Sequence, residues 1–143
     1  YRVQGRRMPP RAPTLDAAWE DVVAALAAGP LAGLPVVVGG RSSGARVACR
    51  TAAACGAAAV LCLAFPVRPP GRPDAPDRLA ELAAAGVPVL VVQGAADPFG
   101  VPPVDGPAEL VVVDGDHSLR RGLSATAAAV RAWLDRVLPP VSD

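Results

Sequence analysis

Short, continuous apolar runs alternate along this chain with segments of helical periodicity. Four runs predict strands, and they cover residues 36–38, 58–65, 87–93 and 110–114. Strands that are apolar on both faces are typical of a parallel sheet covered by helices on each side. The order of the elements therefore predicts an α/β fold, a three-layer, doubly wound, mainly parallel sheet with right-handed crossovers.

The segments between the strands predict four helices, because their apolar residues recur at three and four positions. The first helix has Thr14 as its predicted N-cap and ends at Gly29 and Pro30, and the last is capped by Ser124. Two shorter helices are predicted over residues 45–54 and 77–85.

Composition limits the class of protein. A chain of 143 residues suits one domain, residues 1–143, with a single core. An apolar fraction of 52% and a net charge of +1 indicate a soluble globular protein that binds neither nucleic acid nor membrane. No signal peptide is visible, so a cytoplasmic location is predicted, with the three cysteines as buried thiols. The absence of Lys, Ile and Asn indicates a GC-rich genome such as that of an actinobacterium.

One motif follows the first strand directly. Residues 40–44, GRSSG, fit the pattern G-x-S-x-G at a strand-to-helix turn. A nucleophilic Ser42 in such a strained turn needs small neighbours, which Gly40 and Gly44 supply. Since a helix N-terminus presents free N–H groups to negative charge, the backbone N–H of Ser43 is predicted to be an oxyanion donor.

Polar residues follow three of the predicted strands at their carboxyl ends, where ligands bind in such sheets. Ser42 follows the first strand, Asp97 the third and His117 the fourth, which is the chain order of an α/β-hydrolase triad. His117 is the only histidine, so any histidine-based triad must use it. Asp114 and Asp116 are alternative partners for its imidazole, but Asp97 is preferred because it reaches across from a separate strand end.

Other chemistries are poorly supported. One histidine and scattered thiols do not make a zinc site, and no Lys-Ser or Lys-Thr follows Gly44 to form a phosphate loop. No G-x-G-x-x-G motif opens a helix at this strand end. We therefore expect neither a metal nor an organic cofactor.

Three blocks of the sequence, GGRSSGARVA, VVQGAADPFG and DGDHSL, carry a family resemblance. They resemble the α/β-hydrolase-like family related to dienelactone hydrolase, which includes testis-expressed protein thirty and the third subunit of the non-specific-lethal complex. The resemblance implies that Ser42 is the nucleophile, Asp97 the acid and His117 the base of a serine hydrolase. Its predicted partner is a small-molecule substrate with an ester-like or other acyl bond, and a protein partner stays open.

The sequence departs from that family in two main respects. The segment after Asp97 is short and rich in proline where relatives usually carry a helix. Relatives also begin with a strand and a His-Gly-Ala-Gly-like loop that gives a second oxyanion donor, and nothing here matches it. The first strands are therefore expected upstream of Tyr1. This chain alone is expected to be a poor catalyst, because losing one donor typically costs about two to three orders of magnitude in rate.

Two other functions compete with hydrolysis. The first is a non-catalytic interaction module that keeps the fold and its serine turn, since a fold does not dictate a function. The second is anion binding by the Arg-rich opening, residues 1–14, together with the helix that follows Ser42.

Overall fold

A computed structural model describes residues 5, 11–103, 106 and 108–138. The Arg-rich opening, to which the sequence assigns an anion-binding alternative, lies outside these residues except for Gly5 and its last few positions. Eight elements follow one another in the described residues. They are α1 (Ala12–Ala28), β1 (Val37–Arg41), α2 (Ser43–Thr51), β2 (Ala59–Leu63), α3 (Leu79–Ala83), β3 (Val89–Gly94), β4 (Ala108–Val113) and α4 (Leu123–Val137).

The four strands form one parallel sheet in the order β1-β2-β3-β4. Each strand pairs with the next one along the chain, so the right-handed crossovers through α2 and α3 place both helices on the same face. Helix α1 packs on α2, whereas α4 packs on β3 and β4 from the opposite face. The predicted α/β fold with a parallel sheet between two helical layers is confirmed.

Two apolar cores form, one on each face of the sheet. The first lies under α1, α2 and α3, and its strand residues include Val38, Val60 and Val91. The second lies under α4, where Trp133 packs at 1% exposure against Leu90 and other side chains of the opposite face. Alternate residues of one strand thus enter different cores, which explains why the strands read as continuous apolar runs.

A group of ion pairs fastens α2 to its two neighbouring helices. Arg46 donates two hydrogen bonds to Glu81 of α3, both at 2.6 Å, and Arg50 donates to Glu81 and to Asp16 of α1. Burial alone would raise the pKa of Glu81, but the hydrogen bonds and charges of the two arginines outweigh it and lower that pKa. The pKa of Arg50 is raised, chiefly by its hydrogen bond to Asp16. The helix that follows the serine turn is therefore held from both sides.

Two predicted helix caps are wrong. Helix α1 begins at Ala12 after Arg11, so Thr14 lies inside its first turn, because Pro13 is well suited to the first helical positions. Helix α4 begins at Leu123 after Gly122, so Ser124 is helical and not the cap. Gly122 stands close to the end of β4, where an added Cβ would lie 2.7 Å from Val113 Cγ2.

Several predicted boundaries also shift. Strand β1 continues through Gly39 and Gly40 to Arg41, because Gly39 packs so closely on β2 that an added Cβ would lie 2.5 Å from Leu61 O. The third helix is shorter than predicted, since Asp77 stays outside it and accepts a hydrogen bond from Leu79 N at 3.2 Å. The remaining elements differ from prediction by a few residues at their ends, which is where hydrophobic patterns say least.

The cysteines are free thiols. Cys49 of α2 and Cys62 of β2 are fully buried with their Sγ atoms 3.4 Å apart, and Cys55 is half-buried. The prediction of buried thiols is therefore confirmed for two of the three. The hydrogen bond with Cys49 and burial raise the pKa of Cys62, which makes that thiol unreactive. Over the described ranges, no helix combines the length and apolarity that a membrane crossing needs.

Candidate active site

Ser42 occupies a strained turn between β1 and α2. Its backbone angles are φ 56° and ψ −116°, a left-handed conformation that few residues other than glycine adopt. Its N–H donates to Leu63 O at 3.0 Å, which ties the turn to the end of β2. The turn therefore has the sharp geometry that brings a serine hydroxyl to the carboxyl edge of a sheet.

The two glycines of the motif, Gly40 and Gly44, differ in the space around them. An added Cβ at Gly40 would lie 2.8 Å from the carbonyl carbon of Gly44, so the strand and the helix cross too closely for any side chain there. At Gly44 an added Cβ would meet no described atom within 4 Å. The prediction that both glycines supply room is thus correct for Gly40 alone, because Gly44 faces the open groove between α1 and α2.

His117 and Asp97 are hydrogen-bonded to each other across the carboxyl edge of the sheet. His117 Nδ1 lies 2.8 Å from Asp97 Oδ2, and the Asp97 side chain is completely buried while that of His117 is 18% exposed. A carboxylate only accepts, so this contact places a proton on Nδ1 and leaves Nε2 as the free acceptor of the imidazole. Such a pair has the chemistry of an oriented base.

Gly94 allows the two loops that carry this pair to approach. An added Cβ at Gly94 would lie 2.7 Å from Gly115 O and still closer to Asp116 O. The backbones then join through two hydrogen bonds, from Ala95 N to Val113 O and from Ala96 N to Gly115 O, each 2.9 Å long. The close packing of these turns joins the loop that carries Asp97 to the loop that carries His117.

Two further side chains surround His117. The ring of Phe99 lies against the imidazole, with 4.3 Å between the ring centroids, and shields one of its faces. Arg41, at the end of β1, donates to His117 O at 3.3 Å. This last contact joins the residue before Ser42 to the histidine loop, so the serine turn and the histidine loop are neighbours.

The alternative carboxylates do not contact the imidazole. Asp116 accepts hydrogen bonds from Ser118 N and Ser118 Oγ, at 2.9 Å and 2.6 Å, and those bonds lower its pKa. Asp114 is exposed and makes no side-chain hydrogen bond to His117 within the described chain. Of the three acidic residues considered from sequence, only Asp97 meets His117.

The third predicted residue, Ser42, is not hydrogen-bonded to His117 or to Asp97. Ser42 is half-buried and its hydroxyl makes no capping hydrogen bond to α2. Ser42 Oγ and His117 Nε2 are not hydrogen-bonded to each other, a common situation in sites without substrate. Ser43 is the first residue of α2, where backbone N–H groups have no partner inside the helix. Its assignment as an oxyanion donor stays a prediction.

Gln93 is the site residue that the sequence interpretation missed. It is the last residue but one of β3, is fully buried and donates from Nε2 to Asp97 Oδ2 at 2.7 Å. The available signal was a lone polar residue at the end of an apolar strand, four positions before Asp97. Among the described residues no three His, Cys, Asp or Glu side chains cluster as metal ligands, and the expectation of no cofactor stays a prediction.

The chain is similar to a known protein family and to solved structures. A family model for the alpha/beta hydrolase domain matches residues 1–136. A search of the curated proteins finds no significant match.

Two solved structures from Xanthomonas campestris are similar in fold. One, from pathovar campestris, is assigned to the hydrolases of the alpha/beta superfamily. It is 23% identical with a TM-score of 0.64, and the match covers 87% of this chain and 69% of that one. The other is described as an α/β serine hydrolase without a lid. It is 26% identical with a TM-score of 0.62, and the match covers 85% of this chain and 56% of that one. This chain thus spans roughly two thirds of the first structure and just over half of the second.

Proposed function

Because the chain belongs to the alpha/beta hydrolase family, we propose that it is a serine hydrolase of an ester-like or other acyl bond. Ser42 is the nucleophile, His117 the general base and Asp97 the acid that orients it. The three sequence blocks around these residues further favour the subgroup related to dienelactone hydrolase.

Acylation begins with the attack of Ser42 Oγ on the substrate carbonyl carbon. The hydroxyl proton passes to His117 Nε2, and the carboxylate of Asp97 stabilises the imidazolium through Nδ1–H. The negative charge on the carbonyl oxygen is stabilised by the N–H of Ser43 at the start of α2. As the tetrahedral intermediate collapses, the alkoxide leaves and takes the proton from Nε2, so an alcohol departs and an acyl-serine remains.

Deacylation repeats these steps with water. His117 Nε2 accepts a proton from a water molecule, whose oxygen attacks the acyl carbon of the ester on Ser42. When that intermediate collapses, Ser42 Oγ regains the proton from Nε2 and the carboxylic acid is released. The sum of both halves is ester plus water giving acid plus alcohol, with the protein unchanged.

An apolar pocket beside the serine turn suits the acyl group. It has a volume of about 330 Å³ and lies between α1 and the first turns of α2. Ser43 and Gly44 form one wall, and the opposite wall is apolar, with Trp19 and Val22 of α1. Because Ser43 directly follows the proposed nucleophile, an alkyl or aryl acyl chain attached to Ser42 Oγ would lie next to this pocket.

One observation carries the proposal. The imidazole of the only histidine is held by the buried carboxylate of Asp97 at the same sheet edge as a serine in a left-handed strand-to-helix turn. An isolated histidine–aspartate pair has structural explanations, and so has a strained serine turn. Their occurrence together at the ligand-binding edge of this fold is what a hydrolase requires.

A non-catalytic interaction module is the second candidate function. It requires no contact between Ser42 Oγ and His117 Nε2, which are not hydrogen-bonded to each other, whereas a hydrolase must close that gap before proton transfer. The two functions separate cleanly, since a module that only binds a partner hydrolyses nothing and tolerates the loss of the serine hydroxyl.

Hydrolysis of p-nitrophenyl esters of short acyl chains tests the proposal. We expect the purified protein to release p-nitrophenolate slowly, as a site with one proposed oxyanion donor would, and Ser42→Ala and His117→Ala to bring the rate down to that of the uncatalysed reaction. Ser118→Ala is the matched control, because Ser118 is an exposed serine whose hydroxyl is hydrogen-bonded to the exposed Asp116 and to Arg120 N and not to His117. Equal rates for the protein and for Ser42→Ala would exclude the serine mechanism and favour the interaction module.

A further inference from the structure

Gln93 is an unusual residue to find in the centre of this sheet. It is the last residue but one of β3, VLVVQG, whose six residues are all buried, and its own exposure is 0%. A buried amide costs free energy unless its hydrogen bonds are made, so an apolar residue of similar size would suit the packing better. The reason for an amide at this position must lie in what it binds.

The amide nitrogen of Gln93 has three acceptors around it. Nε2 lies 2.7 Å from Asp97 Oδ2, 2.9 Å from Gly100 O and 3.2 Å from Phe65 O. All three are oxygen acceptors, which fixes the amide with its nitrogen toward them. The amide nitrogen thus links the Asp97 carboxylate to the Gly100 carbonyl of the same loop and to the Phe65 carbonyl just after β2.

The two carboxylate oxygens of Asp97 accept hydrogen bonds from different donors. Oδ1 accepts from Phe99 N at 2.8 Å, while Oδ2 accepts from Gln93 Nε2 and from His117 Nδ1, at 2.7 Å and 2.8 Å. Two of these three donors, Gln93 and Phe99, come from β3 and the loop after it and are independent of the histidine. They hold the plane of the carboxylate before the imidazole binds, so Oδ2 is already directed at His117.

We propose that Gln93 is a positioning residue, which holds Asp97 Oδ2 against His117 Nδ1 and thereby keeps the imidazole proton on Nδ1. The consequence for catalysis rests on the proposed function, because it leaves Nε2 as the free base that Ser42 needs. The consequence for the tautomer of His117 does not rest on it.

The other end of the amide supports a role beyond packing. Gln93 Oε1 is buried and has no hydrogen-bond partner in the part of the chain that the structure describes. An unpaired buried acceptor weakens the fold, and such groups call for an explanation of this kind. Among the described residues only the nitrogen end of the side chain is hydrogen-bonded, and its shortest bond, at 2.7 Å, goes to the carboxylate that contacts His117.

Nuclear magnetic resonance of the single histidine tests the proposal directly. With ¹⁵N-labelled histidine, the protein gives one pair of imidazole nitrogens, which reports His117 alone. In the unaltered protein we expect the Nδ1–H tautomer and a downfield, hydrogen-bonded Nδ1 proton. In Gln93→Met, which keeps the volume and removes the donor, we expect a mixture of tautomers, loss of the downfield proton, and a fall of about tenfold or more in kcat with KM little changed.

Two further variants separate positioning from general loosening of the sheet. Val91→Ala opens a cavity on the same face of the same strand, so it lowers stability and is expected to leave the His117 signals unchanged. Gln93→Asn keeps an amide but withdraws its nitrogen by one methylene, so it is expected to shift the tautomer as Gln93→Met does. It provides the readout if Gln93→Met does not fold.

The outcomes separate this proposal from the proposed function. A His117 spectrum that is the same in Gln93→Met, or in Gln93→Asn, as in the unaltered protein would overturn the positioning role. Equal tautomer shifts in Val91→Ala would overturn it as well. If the tautomer shifts only in the Gln93 variants and the protein hydrolyses no ester, the positioning role stands and the hydrolase proposal fails.

Discussion

His117 Nδ1 lies 2.8 Å from Asp97 Oδ2, although the two residues are 20 positions apart and follow different strands. Their contact depends on the glycine at the end of β3 and on the parallel pairing of β3 with β4, which brings both strand ends to one edge. The Asp97 side chain is completely buried in this arrangement, and it accepts hydrogen bonds from Gln93, Phe99 and His117.

Asp97→Asn tests the role of this contact. An amide in place of the carboxylate removes the charge that stabilises the imidazolium and allows the wrong tautomer. In the hydrolase account we expect kcat to fall by about three to four orders of magnitude, with a smaller change in KM. Steady-state hydrolysis of a p-nitrophenyl ester measures both constants.

Asp116→Asn is the matched control for that variant. Asp116 lies one residue before His117 but is exposed, and among the described residues its side chain is hydrogen-bonded only to Ser118. Its kcat is expected to stay within about twofold of the unaltered value, as for a surface substitution away from the site. A larger loss in Asp116→Asn than in Asp97→Asn would mean that the histidine is oriented by the other carboxylate.

The two glycines of the serine turn should respond in opposite ways to alanine. Gly40→Ala forces a Cβ to within 2.8 Å of the Gly44 backbone, so we expect a loss of about 2 kcal/mol or more in the free energy of unfolding. Gly44→Ala places its Cβ in open space within α2, where alanine favours the helix, so stability should stay equal or rise by up to about 1 kcal/mol. Urea unfolding followed by circular dichroism compares them, and similar losses in both would contradict the observed packing.

Gly94→Ala should break the hydrogen bond between His117 and Asp97. Its Cβ would meet the carbonyl oxygens of Gly115 and Asp116, which must move away and carry His117 with them. We expect the downfield Nδ1 proton of His117 to disappear and hydrolysis to fall by at least about a hundredfold, because small misplacements of catalytic groups are costly. Unchanged hydrolysis would show that the contact between His117 and Asp97 is dispensable.

The ion pairs of α2 predict how stability depends on acid. The folded pKa of Glu81 lies below the ordinary value of 4.5, so its contribution is present above pH 4.5 and is lost as pH falls through the folded pKa. Between about pH 5 and pH 3, the unaltered protein should lose more stability than Glu81→Gln does. Glu109→Gln, which breaks a pair whose side chains are 49% and 56% exposed, should show the acid response of the unaltered protein.

The sequence contained most of the fold because apolar runs report burial directly. All four strands and four helices were predictable, since residues such as Val60 and Leu90 serve opposite faces of one covered sheet. The helix caps were not predictable in this way. Thr14 and Ser124 have side chains that suit a cap, but Pro13 and the close packing of Gly122 determine where α1 and α4 begin.

Within the site, the sequence indicated the residues but not their contacts. Ser42, Asp97 and His117 stand out by position after strands, whereas the choice among Asp97, Asp114 and Asp116 depends on how two loops pack. Gln93 could not be assigned from spacing alone, because its contacts come from two separate parts of the chain, Phe65 after β2 and the loop with Asp97 and Gly100. Likewise, the sequence could not show that an added Cβ would clash at Gly40 and not at Gly44, because this depends on how β1 and α2 pack.

Mapping a fluorophosphonate adduct by peptide mass spectrometry identifies the nucleophile itself, because the probe reacts with an activated serine whatever the natural substrate is. We expect one phosphonylated peptide, with the modification on Ser42 and not on the adjacent Ser43, and no adduct in Ser42→Ala or His117→Ala. An adduct that persists in Ser42→Ala, or a protein that forms none, would contradict this expectation.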